Sequence, residues 1–155
     1  MNIRQANIED IDILIQLRFD YLLADRGNLT AEEEKVIRSQ LISYFAKHIN
    51  DDFIAILAEI DNNVVSTAFL AIAEKPANPA FITGKTGTLL NVLTYPDYRR
   101  MGLASKVIYK IIEEAKQLGV SYIELSATPD GKPLYEKLGF TEPKSKYASM
   151  KLQFI

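Results

Sequence analysis

The chain has 155 residues, of which 48% are hydrophobic and 25% charged, with a formal net charge of −2 and no cysteine. This composition predicts one globular domain over residues 1–155 and gives no reason to expect nucleic acid or a membrane as a partner. The absence of cysteine excludes disulfides, thiolate metal ligands and a cysteine nucleophile. Because no membrane helix or signal peptide is recognisable, we expect a cytoplasmic protein.

The first half of the chain predicts a strand followed by two helices. The strand covers residues 2–6, and Asn7 is a suitable N-cap for the first helix, which Gly27 ends. Thr30 with Glu33 has the spacing of a capping box at the start of the second helix. Both helices carry apolar residues at helical spacing, so each is expected to bury one face.

The second half predicts strands on either side of one long helix. The predicted elements are strands 53–60, 64–74 and 86–95, a helix 101–118, a strand 121–127, a short helix that Gly139 ends, and a last strand 147–154. Turn residues 61–63 join the first two of these strands in a hairpin, and prolines make 76–85 a loop. This order predicts an α/β (α+β) fold with a mixed, mostly antiparallel sheet and helices on both faces.

A basic turn between a predicted strand and a predicted helix is the most informative local feature. It runs Tyr98-Arg99-Arg100-Met101-Gly102-Leu103-Ala104. Free N–H groups in the first turn of a helix bind anions, glycine lets a phosphate approach the backbone, and arginines add charge. The turn is neither a P-loop nor a dinucleotide-binding fingerprint. A short glycine turn is also ordinary structure, so both interpretations stay open at this point.

A second segment, Pro133-Leu134-Tyr135-Glu136-Lys137-Leu138-Gly139-Phe140, predicts a short helix with buried leucines. Its tyrosine, Tyr135, is either a packing residue or a proton donor, because a phenol can protonate a leaving group.

Together, the two segments, which lie about 30 residues apart, resemble the GNAT superfamily of N-acetyltransferases. The resemblance covers nearly the whole chain and is strongest from Leu89 to Phe140. It implies a splayed central strand pair in the sheet and direct transfer of an acetyl group from acetyl-CoA to a primary amine. It implies no metal, and homodimers are frequent in the superfamily.

The resemblance also implies roles for individual residues. Tyr135 corresponds to the tyrosine that protonates the CoA thiolate. Ser126 would line the far wall of the cofactor cleft, and Lys132 and Lys137 would contact CoA phosphates, although a solvated helix face explains the lysines equally well. The residues implied for the pyrophosphate, pantetheine arm and thioester are Leu93, Thr94, Tyr95, Arg99, Arg100, Met101, Gly102, Leu103 and Ala104.

The acceptor half of the reaction is less defined. Glu74 is a candidate base, or else a surface glutamate, and Asn91 orients a substrate or satisfies a strand bulge. Asp20 and Asp25 are candidates for holding a cationic acceptor. The resemblance implies an acceptor pocket built from the first two helices, their connection and the loop 76–85. A non-catalytic acyl-CoA-binding sensor or interaction domain is the alternative function.

Overall fold

The computed structural model describes residues 1–155, which fall into two compact units, 1–125 and 126–155. The larger unit contains the sheet and three α-helices, and the smaller unit contains one short helix. None of the helices combines the length and the apolar character needed to cross a lipid bilayer. The expectation of one domain over the whole chain stays a prediction.

Five strands of the larger unit form one sheet in chain order. They are β1 Asn2–Gln5, β2 Phe53–Ile60, β3 Asn63–Glu74, β4 Lys85–Thr94 and β5 Ile123–Glu124. Neighbouring strands are antiparallel except for the parallel pair of β4 and β5. The mixed, mostly antiparallel sheet is therefore confirmed. The parallel pair is the last in the strand order, not a central one.

The helices begin and end where local signals predict. They are α1 Ile11–Arg26, α2 Ala31–His48, α3 Leu103–Gln117 and α4 Lys132–Lys137. Asn7 caps a single 3₁₀ turn that leads into α1, and Gly27 ends α1 with a φ of 77°. The Thr30 side chain accepts the N–H of Glu33, whose carboxylate accepts the N–H of Thr30, so the predicted capping box is present.

Helices cover both faces of the sheet. On one face, α1 and α2 pack on an aromatic cluster in which Phe45, Phe53 and Phe69 lie 5.3–6.0 Å apart between ring centroids. The amphipathic α3 packs against β2 and β3, and none of its residues belongs to that cluster. Because β2 is buried along residues 53–58, side chains on both of its faces contribute to the core.

Two sequence predictions about strands are wrong. Residues 147–154 form no strand, and Tyr147 and Phe154 are 77% and 88% exposed. The predicted strand 121–127 shrinks to two residues. Alternating apolar residues favour a strand only when a neighbouring backbone completes the hydrogen-bond ladder. Residues 147–154 pair with no strand, and only Gly87 and Thr88 pair with β5.

Candidate active site

The edge of β4 opens part-way along the strand. Gly87 pairs with Ile123 and Thr88 with Glu124, and the parallel ladder then ends. From residue 89 to the end of the strand, β4 pairs only with β3. A strand edge with unpaired N–H and C=O groups accepts an extended molecule as an additional strand. The resemblance implies a splay of two parallel strands, and the parallel ladder of β4 and β5 ends at this point.

Asn91 forms a bulge at the start of this open stretch. Phe69 pairs with Leu90 and Thr67 with Leu93, so the one β3 residue between these pairs opposes two residues of β4, Asn91 and Val92. Asn91 adopts a φ of 54°. Because of the extra residue, Leu90 and Leu93 lie on the same face of the sheet, the one covered by α1 and α2. The bulge interpretation of Asn91 is confirmed, while a role in substrate orientation stays a prediction.

The Asn91 side chain connects this bulge to α1. It is 1% exposed, and its amide donates to the carbonyl of Leu17 at 3.3 Å. Its oxygen accepts from the Arg18 guanidinium at 3.2 Å. The amide therefore fixes one turn of α1 against the opening of β4.

A second link between α1 and β4 lies at the end of the strand. The phenol of Tyr95 donates to the Asp20 carboxylate at 2.5 Å, and Asp20 also accepts from Gln16 at 2.9 Å. Burial, followed by this contact with Asp20, raises the pKa of the Tyr95 phenol well above its usual range. The phenol stays protonated and positions the carboxylate. Asp20 is thus already engaged with a neutral partner.

The turn before α3 leaves backbone donors without acceptors. Arg100 and Gly102 adopt positive φ of 63° and 75°. The first bond of the helix joins the N–H of Lys106 to the carbonyl of Gly102 at 3.2 Å, and the N–H groups of residues 103–105 have no acceptor in the protein. No side chain caps this end, and its first turn has no acidic residue. The positive end of α3 is therefore available to an anion.

Two exposed arginines flank these donors. Arg99 donates through Nε to the carbonyl of Thr94 at 3.1 Å, which holds its guanidinium beside the end of β4. Neither Arg99 nor Arg100 forms an ion pair with a carboxylate. Their charges therefore add to the positive potential of the helix end.

The smaller unit holds the tyrosine expected to act as an acid. Tyr135 lies on α4, and its ring contacts Phe140 edge-to-face at 6.0 Å between centroids. Gly131 lies against the same ring, since a Cβ there would approach Cε2 to 3.3 Å. Lys132 forms an exposed ion pair with Glu142 at 2.6 Å. The tyrosine ring is thus held by packing on two sides.

The other predicted site residues are more scattered. Glu74 is exposed at the end of β3 opposite Lys85, whereas Leu93 lies opposite Thr67. At the rise of a strand, the seven residues from Thr67 to Glu74 span about 23 Å. Glu74 is therefore far from the Leu93 end of the opening but nearer to its start, since Leu89 pairs with Leu70. Ser126 and Lys137 are exposed in the smaller unit.

No group of three or more acidic or histidine side chains is placed to hold a metal ion.

A cavity of about 160 Å³, here named the α1–α2 cavity, lies between these two helices and the sheet. Leu41, Phe45, Phe53, Phe69 and Leu90 are among its lining residues.

Arg18 is the only charged residue that lines this cavity. Burial lowers the pKa of its guanidinium, as expected when a charged group loses contact with water. Sequence reasoning missed Arg18, although an arginine between Leu17 and Phe19, two residues of the buried stripe of α1, is an available signal.

The open edge of β4 and the unpaired N–H groups at the start of α3 together suit a ligand that has an extended arm and an anionic group. The model of the acetyltransferase (GNAT) family matches residues 16–140. The chain belongs to this family.

Relatives agree with this assignment. An uncharacterized N-acetyltransferase, ycf52, of Porphyra purpurea is 32% identical over 85 residues, which are 55% of this chain and 47% of the relative. The chain thus spans about half the length of this curated relative.

Solved structures share the fold along nearly the whole chain. A predicted acetyltransferase from Clostridium acetobutylicum, solved with acetyl-CoA, superposes with a TM-score of 0.82 at 28% identity, covering 97% of this chain and 95% of that one. A GCN5-related N-acetyltransferase from Ralstonia eutropha superposes with a TM-score of 0.77 at 18% identity, covering 96% and 97%. The second likeness supports the shared fold.

Proposed function

We propose that the protein transfers an acetyl group from acetyl-CoA directly to a primary amine. The open edge of β4, which leads to the unpaired N–H groups of residues 103–105, is the observation that carries this proposal. An extended arm with a pyrophosphate at one end matches both features. The similar Clostridium acetobutylicum protein was solved with acetyl-CoA.

In this proposal the donor is held mainly by backbone groups. The N–H groups at the start of α3, with Arg99 and Arg100, take the pyrophosphate. The backbone of residues 93–95 pairs with the pantetheine arm in the manner of a neighbouring strand. The arm then points from α3 towards Thr88, where β5 begins to pair, so the thioester reaches the stretch around the Asn91 bulge.

The reaction forms a C–N bond and breaks the C–S bond of the thioester. A neutral amine attacks the carbonyl, and the developing oxyanion is stabilised by backbone N–H groups of the open strand. Tyr135 gives its proton to the departing sulfur. The amine nitrogen loses its proton after attack. The phenolate left on Tyr135 is reprotonated from solvent, so the proton lost by the amine balances the proton delivered to sulfur.

An acceptor screen tests the proposal. Purified protein is mixed with acetyl-CoA and a panel of primary amines, and release of free thiol is recorded. We expect thiol release that depends on the amine, together with calorimetric binding of CoA but not of ATP or NAD. Tight CoA binding without acetylation of any amine would instead support the alternative of an acyl-CoA-binding module.

Assembly and location are not needed for this activity. The expected homodimer and the cytoplasmic location stay predictions.

A further inference from the structure

The α1–α2 cavity lies where an acceptor is needed. Leu90 lines it, and Asn91, the next residue, forms the bulge at the opening of β4. Arg18 joins the two places, because it lines the cavity and donates to the Asn91 side chain. Resting on the proposed acetyl transfer, we infer that the acceptor is a hydrophobic amino acid whose carboxylate pairs with Arg18 and whose side chain enters this cavity.

The charge of Arg18 is the first argument. Its guanidinium is partly buried beside an aromatic cluster, yet it forms no ion pair and its one protein partner here is the neutral Asn91 amide. A partly desolvated guanidinium with unused N–H donors binds a carboxylate well, since its planar fork matches the two oxygens. The other arginine partly buried in this unit, Arg4, is instead neutralised by Asp10 and Glu59. Asp25 acts on Arg18 only through its longer-range charge, so no carboxylate is in direct contact with the guanidinium.

The size and lining of the cavity are the second argument. Its volume of about 160 Å³ is close to the roughly 150 Å³ of an apolar cavity that accommodates benzene. Most of its wall is aromatic or aliphatic, with polar groups only from Gln40, Tyr44 and Arg18. A phenyl or branched aliphatic side chain fits such a space. A cationic side chain would lose its hydration there, and the only charged group in the wall, Arg18, would repel it.

The geometry of an amino acid is the third argument. Its amine, carboxylate and side chain share one carbon atom. When the carboxylate pairs with Arg18 and the side chain enters the cavity, the amine is left beside the bulge at Asn91. This is the stretch of β4 to which the proposed arm delivers the thioester.

Matched acceptors test the carboxylate. Leucine and phenylalanine are compared with 3-methylbutylamine and 2-phenylethylamine, which lack only the carboxylate, in the thiol-release assay. We expect kcat/KM to be about 30-fold or more higher for the amino acids, the size of a hydrogen bond to a charged group. Arg18→Gln should remove this preference by raising KM for the amino acids, and Arg18→Lys should restore part of it.

Matched variants distinguish a loss of acceptor recognition from a general effect of charge and from a folding defect. Lys116→Gln on α3 removes the same charge from an exposed position and should leave KM unchanged. Ala71→Leu fills the cavity and should raise KM for leucine and phenylalanine roughly tenfold, while KM for alanine stays constant. Thermal unfolding of every variant reports its folding. If Arg18→Gln does not fold, the Ala71→Leu variant still tests whether the side chain of the acceptor enters the α1–α2 cavity.

Binding without turnover distinguishes the two proposals. Calorimetry measures phenylalanine binding to the wild type and to Arg18→Gln. Phenylalanine binding that requires Arg18, without acetylation of any acceptor, would overturn the proposed acetyl transfer. The same result would support the amino-acid site at Arg18. Equal acetylation of the amino acids and of the matched amines without a carboxylate, with KM unaffected by Arg18→Gln, would support acetyl transfer. The same result would overturn the acceptor site at Arg18.

Discussion

The proposed donor side and the proposed acceptor side of the larger unit are built from different parts of the chain. The donor side consists mainly of backbone groups: the open edge of β4 and the unpaired N–H groups of residues 103–105. The acceptor side consists of side chains, among them Arg18 and Phe45, that come from separate helices and strands. Backbone sites depend on local turns and tolerate many side chains. We therefore expect the proposed donor side to tolerate substitution of side chains better than the proposed acceptor side does.

The largest effect is expected at the donor turn. Arg99→Ala combined with Gly102→Glu removes one positive charge, introduces a negative one, and forces a side chain into a φ of 75°. We expect acetyl-CoA affinity to fall by about 100-fold or more, measured by calorimetry. Phenylalanine binding should not change. Unaltered acetyl-CoA affinity would remove the pyrophosphate from this turn.

Tyr135 is the side chain on which the donor chemistry is proposed to depend. Tyr135→Phe retains the ring that packs on Phe140 but removes the acidic proton. We expect kcat to fall by about 10²-fold with little change in KM for acetyl-CoA, measured by thiol release. Tyr147→Phe, which alters an exposed tyrosine of the same unit, is the control. A wild-type kcat in Tyr135→Phe would assign the proton to another donor.

Asn91 lies between the open edge of β4 and the α1–α2 cavity. We expect its substitution to lower the free energy of unfolding. Asn91→Ala leaves the buried Leu17 carbonyl without its donor and places a Cβ-bearing residue at positive φ without a local hydrogen bond. We expect a loss of about 2–3 kcal/mol in the free energy of unfolding, measured with urea. Asn91→Gly should lose about 1 kcal/mol less, because glycine accepts this φ. Equal losses would show that backbone strain does not contribute.

The smallest effect is expected away from both sides. Arg4 donates two bonds of 2.8 Å to the Asp10 carboxylate, which holds the pKa of Asp10 below its ordinary 3.8. The stabilisation is present above that ordinary value and is lost as pH falls through the lower folded pKa. We expect Asp10→Asn to cost about 1 kcal/mol at pH 7 and progressively less at acidic pH, measured by unfolding. An altered KM would link this pair to the site.

The sequence predicts those features whose physical cause is local. The capping boxes at Asn7 and Thr30, and the basic turn before α3, depend on residues that are neighbours in the chain. The strand 147–154 was predicted wrongly because alternation is local, whereas a pairing partner is not. Arg18 was missed for a similar reason. Only the fold brings it beside Asn91, which is 73 residues away in the chain.

The open edge of β4 also bears on solubility. When no ligand lies along this edge, the backbone groups beyond Thr88 have no neighbouring strand on the side of β4 opposite β3. Such an edge is a template for intermolecular strand addition, the first step of many aggregation reactions. A ligand at 100 times its Kd stabilises the folded chain by about 2.7 kcal/mol and covers the edge as well. We therefore expect the protein without its proposed cosubstrate to aggregate more readily than the protein with acetyl-CoA bound.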